Sequence, residues 1–111
     1  MNNNAYKHLD PSFNLHKGSL VIHKGNDLKH ELAKFLVYWE ESKNGCTVIS
    51  EARFNNGCRA DLYVVGTNTA IEILNTESEE SIERKKKKYP CNVVFLNCDT
   101  VINYWLDKLN K

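Results

Sequence analysis

Two carboxylates stand where a buried strand would carry apolar side chains: Asp61 in RADLYVV and Glu72 in TAIEILN. An unpaired charge in such a strand is costly, and it persists when it is ion-paired or holds a cation. The break Gly66-Thr67-Asn68 lies between the two runs and turns them into neighbouring strands, so the acids converge. An Asp and a Glu on adjacent strands form a hard-oxygen site of the kind Mg²⁺ takes, completed by water and substrate phosphate. The matching chemistry is phosphodiester hydrolysis by a metal-activated water. The competing reading is structural, with Asp61 paired to Arg53 or Arg59 and Glu72 paired to a helix lysine.

The elements around these acids are marked by local signals. Leu28, Leu32, Phe35, Leu36 and Trp39 recur on one face of a helix over 28–43, with Asp27 as N-cap and Gly45 as stop. TVISEARF and CRADLYVV flank Asn55-Asn56-Gly57, a hairpin loop composition. If Phe54 pairs with Cys58, Glu51 falls opposite Asp61. TAIEILN then completes a three-stranded meander. Thr76 and Glu79 have capping-box spacing before a second helix, with acids in its first turn and Arg84 to Lys88 in its last. Glu80 with Arg84 and Glu83 with Lys87 have the spacing of surface ion pairs. CNVVFLNC is a fourth strand, and Asp99 caps a last helix bearing Val101, Ile102, Trp105, Leu106 and Leu109 on one face. The order is α-β-β-β-α-β-α, one α/β domain over residues 27–111. Residues 1–26 are read as an arm or irregular cover, with a short strand at 19–23.

Composition sets limits on function. The chain has 111 residues, 41% hydrophobic and 26% charged, and a net charge of +1, which argues against coating nucleic acid by bulk charge. No apolar run reaches the roughly 18 residues of a membrane span. The polar N-terminus lacks a secretory core, so a cytoplasmic setting is expected, in a host cell if the protein is viral. Cys46, Cys58, Cys91 and Cys98 form no CxxC pair and read as small buried hydrophobes rather than zinc ligands.

The element order and the placement of the acids resemble the PD-(D/E)XK nuclease superfamily, whose αβββαβ core carries a helical Glu, a strand Asp and a strand Glu-x-Lys. The resemblance spans about residues 27 to 98, and KHELAKFL, RADLYVV and AIEILNTESEESIERKKKKYP look most like small archaeal or viral members and CoiA-like nuclease domains. It implies a restriction-endonuclease-like fold, a central mixed sheet flanked by helices, with an added C-terminal helix. It further implies a DNA endonuclease, or one of Holliday-junction-resolvase type, that uses Mg²⁺ or Mn²⁺ and acts as a homodimer. Asp61, Glu72 and Glu31 would be the metal ligands. Glu51 would support them, replace Glu31, or be a surface strand residue.

One position departs from the pattern. The motif lysine would stand at residue 74, which is Leu74. Ile82, Lys85, Lys86 and Tyr89 share a helical face, so Lys85, then Lys86, is expected to supply the missing cation, while Arg84, Lys87 and Lys88 contact nucleic acid. A helix-edge Glu31 beside Lys34 has a solvated alternative, and His30 is read as solvated. The apolar Leu74 also permits an alternative function, a catalytically degenerate nucleic-acid-binding or regulatory module.

Overall fold

In the computed structural model, residues 9–10 and 19–110 are described, so most of the expected N-terminal arm (1–8 and 11–18) lies outside the described residues. The elements are α1 (Leu28–Lys43), β1 (Val48–Arg53), β2 (Arg59–Val64), β3 (Thr69–Leu74), α2 (Glu79–Lys86), β4 (Asn92–Asn97) and α3 (Cys98–Leu109). They build a four-stranded mixed sheet in the order β1-β2-β3-β4. The first two pairings are antiparallel, and β3 pairs β4 in parallel. A parallel pair needs a crossover, and α2 supplies it. Among the described residues, no helix is long and apolar enough to cross a membrane.

Local chemistry explains the turns. Phe54 N–H donates to the Cys58 carbonyl at 2.8 Å, closing the expected three-residue loop, and Gly57 at φ +88° supplies the left-handed residue that the return requires. Ser50 pairs Leu62 and Ala52 pairs Ala60, which places Glu51 opposite Asp61 as expected. In the next turn the left-handed residue is Asn68, φ 52°, and its side chain accepts from the Tyr63 hydroxyl at 2.6 Å.

Several expected boundaries shift. Asp27 is the N-cap of α1 by backbone but makes no capping hydrogen bond. Thr76 does not open α2; Ser78 does, accepting from Ser81 N–H, because the chain needs two further residues to leave β3. Asn97, not Asp99, caps α3, and its side-chain oxygen accepts from the N–H groups of both Asp99 and Thr100. Asn97→Ala should therefore cost about 1 kcal/mol in urea denaturation. Residues 19–23 form no strand; Val21 N–H bonds the buried Ser50 hydroxyl instead.

Two apolar clusters flank the sheet. One joins Val48, Leu62, Val64, Ile71 and Ile73 to Ala33 and Val37 of α1 and to Cys98, Val101 and Ile102 of α3. The other gathers Ile49, Phe54, Tyr63 and Ala70 under Leu9, with Tyr89, Cys91 and Val93 at its margin. The α1 stripe expected to face the core does not. Leu28, Leu32, Phe35 and Trp39 are exposed, and the buried residues of α1 are Glu31, Ala33, Lys34 and Val37. Small Ala33 and Val37 allow the helix close to the sheet, and that approach turns the larger side chains outward. Leu106 and Leu109 of the expected α3 face are likewise exposed. The four cysteines are free thiols; only Cys98 is fully buried, and the rest are half-buried.

Candidate functional site

The site forms where β2 and β3 part. The ladder runs Val64–Thr69, Tyr63–Ala70, Leu62–Ile71, and the next residues across are Asp61 and Glu72. There the side chains take over from the backbone: Ile73 N–H donates to Asp61 Oδ2 at 2.8 Å, and Asp61 N–H donates to Glu72 Oε1 at 3.2 Å. These substitutions keep the backbone groups paired while the strands open and the two carboxylates converge. The structural salt bridge to Arg53 or Arg59 is not made; Asp61 Oδ2 instead lies 3.3 Å from His30 Nε2.

The carboxylates border an open cavity of about 620 Å³, lined also by His23, His30, Glu51 and Lys85. Burial pushes the Glu72 carboxyl up to about 7, and the Asp61 charge adds to the effect. Burial also raises Asp61, against the Ile73 N–H bond that lowers it. A raised folded-state value means that the folded protein binds more protons than the unfolded chain between the two values. Stability therefore falls as pH rises from about 4.5 to about 7 through Glu72, and stays low above that. Urea midpoints across this window should show the decline in metal-free protein, and Glu72→Gln should flatten it.

A second ionic cluster backs the first. Lys34 is completely buried, with Nζ 2.9 Å from Glu31 Oε2 and 3.1 Å from Glu51 Oε2. Glu31 Oε1 also accepts from His23 N–H and Asn26 Nδ2. Burial opposes ionisation of Glu31, but the Lys34 ammonium and these donors outweigh it and hold its carboxyl below the ordinary range. Glu51 sits at φ 53°, a left-handed conformation uncommon for a residue with a side chain, and is clamped between Lys34 and His23 Nε2 at 3.0 Å.

These contacts bear on the expected places of Glu31, Glu51 and His30. Glu31 is not a solvated helix-edge residue, and its carboxylate belongs to the Lys34 cluster rather than the cavity wall. Glu51 lines the cavity, whereas Glu31 does not. Among the described residues, no three His, Cys, Asp or Glu side chains stand together as a ready metal cage. His30, read as solvated from the sequence, is mostly buried against Asp61. Its Nδ1 is buried without a hydrogen bond, 3.8 Å from Glu31 Oε2. The overlooked signal was His30, Glu31 and Lys34 on the helix flank away from the apolar stripe.

The basic run divides. Lys85 is half-buried, donates to Glu77 Oε2 at 3.3 Å and lines the cavity, whereas Lys86 is exposed and lines no cavity described. The expected pairs Glu80–Arg84 and Glu83–Lys87 are not formed. An adjoining cavity of about 580 Å³ shares Arg59, Glu72 and Lys85 with the first and adds Lys87, Lys88 and Tyr89. Arg84 is exposed outside both. The hairpin loop closes this second cavity, since Asn56 Nδ2 donates to the Lys88 carbonyl at 2.8 Å. Tyr89 donates its hydroxyl proton to the Arg59 carbonyl at 2.9 Å, and burial followed by the nearby Glu72 charge raises that hydroxyl's pKa. Leu74 is buried and borders neither cavity.

No protein family, curated protein or solved structure matches this chain. Functional assignment therefore rests on the site's own chemistry.

Proposed function

We propose that this chain is a Mg²⁺- or Mn²⁺-dependent DNA endonuclease of PD-(D/E)XK type. The observation that carries this reading is the pairing of Asp61 with Glu72 across the opened β2–β3 hairpin, at the edge of a cavity that also receives a lysine. Burial raises both carboxyl groups, and the Asp61 charge raises Glu72 further, which makes the pair a poor structural device and a suitable cation site. Asp61 Oδ1 takes no hydrogen bond among the described residues and remains available as a ligand atom. The donor set is all oxygen, which suits Mg²⁺ or Mn²⁺ over zinc. Asp61 and Glu72 would hold the ion, with water and substrate phosphate completing its shell, while Glu51 lines the same cavity.

When bound, the ion supplies Lewis-acid neutralisation of phosphoryl charge and acidifies the attacking water. The chain's residues do the rest. His30 Nε2 and Ile73 N–H orient Asp61, while Lys34 orients Glu51. Lys85 replaces the lysine missing at Leu74 and binds a phosphoryl oxygen, held in place by Glu77. Arg59, Lys87 and Lys88 in the adjoining cavity bind the neighbouring phosphates.

Cleavage of single-stranded, duplex and four-way-junction DNA, with and without Mg²⁺ or Mn²⁺, tests this reading. Lys85→Ala should lower metal-dependent cleavage by about 100-fold while Lys86→Ala leaves it within about 3-fold, since only a positioned cation stabilises developing charge. Equal, small effects would remove Lys85 from the chemistry.

The buried Leu74 favours a second reading, a binding or regulatory module that has lost catalysis. On that reading neither ion binds, no DNA is cut, and losing one phosphate-contacting lysine lowers the salt slope of DNA affinity by about 1.

A further inference from the structure

The segment before α1, expected as an irregular cover, fastens one side chain to the wall of the first cavity. Both backbone groups of His23 are tied: its N–H donates to Glu31 Oε1 at 2.9 Å, and its carbonyl accepts from Asn26 N–H at 3.2 Å. Its ring is tied as well, with Nε2 3.0 Å from Glu51 Oε1. Just before it, Val21 N–H holds the segment to Ser50 Oγ at 2.9 Å. The side chain is nevertheless 47% exposed and lines the cavity that Asp61 and Glu72 border. Such anchoring costs conformational entropy that a merely solvated histidine keeps.

The carboxylate that holds the ring is itself specially placed. Glu51, at φ 53°, drops out of the β1–β2 ladder between Ser50 and Ala52. Its other oxygen, Oε2, is fixed by buried Lys34 at 3.1 Å. Backbone strain of this kind collects at functional sites, where a break in the ladder re-aims a side chain. Here it brings a carboxylate onto an imidazole, an arrangement that orients a histidine for proton transfer. With Nε2 committed to Glu51, the nitrogen left for chemistry is Nδ1, which takes no hydrogen bond among the described residues.

We propose that His23 is a further catalytic residue, the general acid that gives its Nδ1 proton to the leaving oxygen of the phosphodiester. This inference rests on the nuclease reading and deepens it, because nothing named in that reading protonates the leaving group. The other candidates lining the cavity are occupied. His30 is taken by Asp61, Lys85 by Glu77, and Glu72 by the ion, while the Arg59 guanidinium does not give up a proton. In the step, the water oxygen bonds to phosphorus and the bond from phosphorus to the bridging oxygen breaks. That oxygen keeps the electron pair and takes the proton from Nδ1, leaving a neutral ring whose Nε2–H donates to Glu51. The proton of the water passes to solvent, and solvent reprotonates Nδ1 before the next turnover.

Sulfur in place of the leaving oxygen separates proton transfer from anchoring, since a thiolate departs without a proton. Wild type and His23→Gln are compared with Mn²⁺ on all-oxygen DNA and on DNA carrying one 3′- or 5′-bridging phosphorothiolate. Gln keeps an amide donor for Glu51 but has no proton to transfer. On all-oxygen DNA, kcat should fall by about 100-fold or more, whereas on the sulfur-bridged linkage it should stay within about 3-fold of wild type. Affinity for uncut DNA without metal, read by fluorescence anisotropy, and the urea midpoint should both match wild type. A variant that cuts all-oxygen DNA at the wild-type rate, or that loses equally on oxygen and sulfur, overturns the proposal and leaves His23 an anchor of its segment. Absence of cleavage by the wild type on every DNA and with either ion removes the nuclease reading and this inference with it.

Discussion

On the proposed nuclease reading, Asp61→Asn should abolish metal-dependent cleavage, by about 1,000-fold or more, and leave the protein folded. Asn is preferred to Ala for a structural reason. Asp61 Oδ2 accepts the Ile73 N–H bond and contacts His30 Nε2, so truncation to Ala would strand a backbone donor at a cost of about 1–3 kcal/mol. The Asn oxygen keeps both contacts and removes only the charge. Its removal also eliminates the second-largest cause of the high Glu72 value, so Glu72 should titrate below about 7 in the variant. Above pH 7 the metal-free variant should therefore be at least as stable as wild type. Calorimetric titration with Mn²⁺, cleavage assays and urea unfolding on the two proteins provide the readouts. Cleavage at the wild-type rate would remove Asp61 from the site. Unfolding of Asp61→Asn would mean that the charge itself is structural.

The largest stability effect is expected at Lys34. Lys34→Met removes the buried ammonium between Glu31 and Glu51 and leaves two carboxylates facing each other in a largely dry setting. Loss of one partner from a buried ionic group costs about 3–5 kcal/mol. That is a large share of the ~5–15 kcal/mol that holds a domain of this size. Met retains the length and apolar stem, so the measurement isolates the charge. Urea unfolding at pH 7 should show the loss, and adding Glu31→Gln to Lys34→Met should restore part of it, since the double variant buries one uncompensated charge fewer. A loss below about 1 kcal/mol would mean that water reaches the ammonium.

The Lys34 result also bears on the site, because the ammonium restrains Glu51 in its left-handed conformation. Releasing it should let Glu51 relax toward extended backbone, away from the cavity. A nuclease that needs the Glu51 charge in its cavity would then lose activity even in the population that remains folded.

Sequence reading succeeded wherever the determining interactions were local. The bounds of α1, the loop Asn55-Asn56-Gly57 and the resulting register of Glu51 on Asp61 follow from periodicity and turn chemistry within a few residues. The same holds for the convergence of Asp61 and Glu72, which depends on the one tight turn between β2 and β3. Small displacements, such as Ser78 for Thr76 and Asn97 for Asp99, arose because several capping residues lie side by side and the path of the preceding strand selects among them.

What the sequence by itself determined is the order of elements, the antiparallel meander and the pair of strand carboxylates. The tertiary structure alone decided which face of α1 points inward, because the helix carries two apolar faces and only the fit of Ala33 and Val37 against the sheet distinguishes them. It decided, as a consequence, that Lys34 and Glu31 are buried together. Glu51 rather than Glu31 reaches the cavity, and Lys85 rather than Lys86 stands beside Glu72. Each of those outcomes depends on contacts between residues distant in the chain, and no local pattern encodes how far apart two packed elements come to rest.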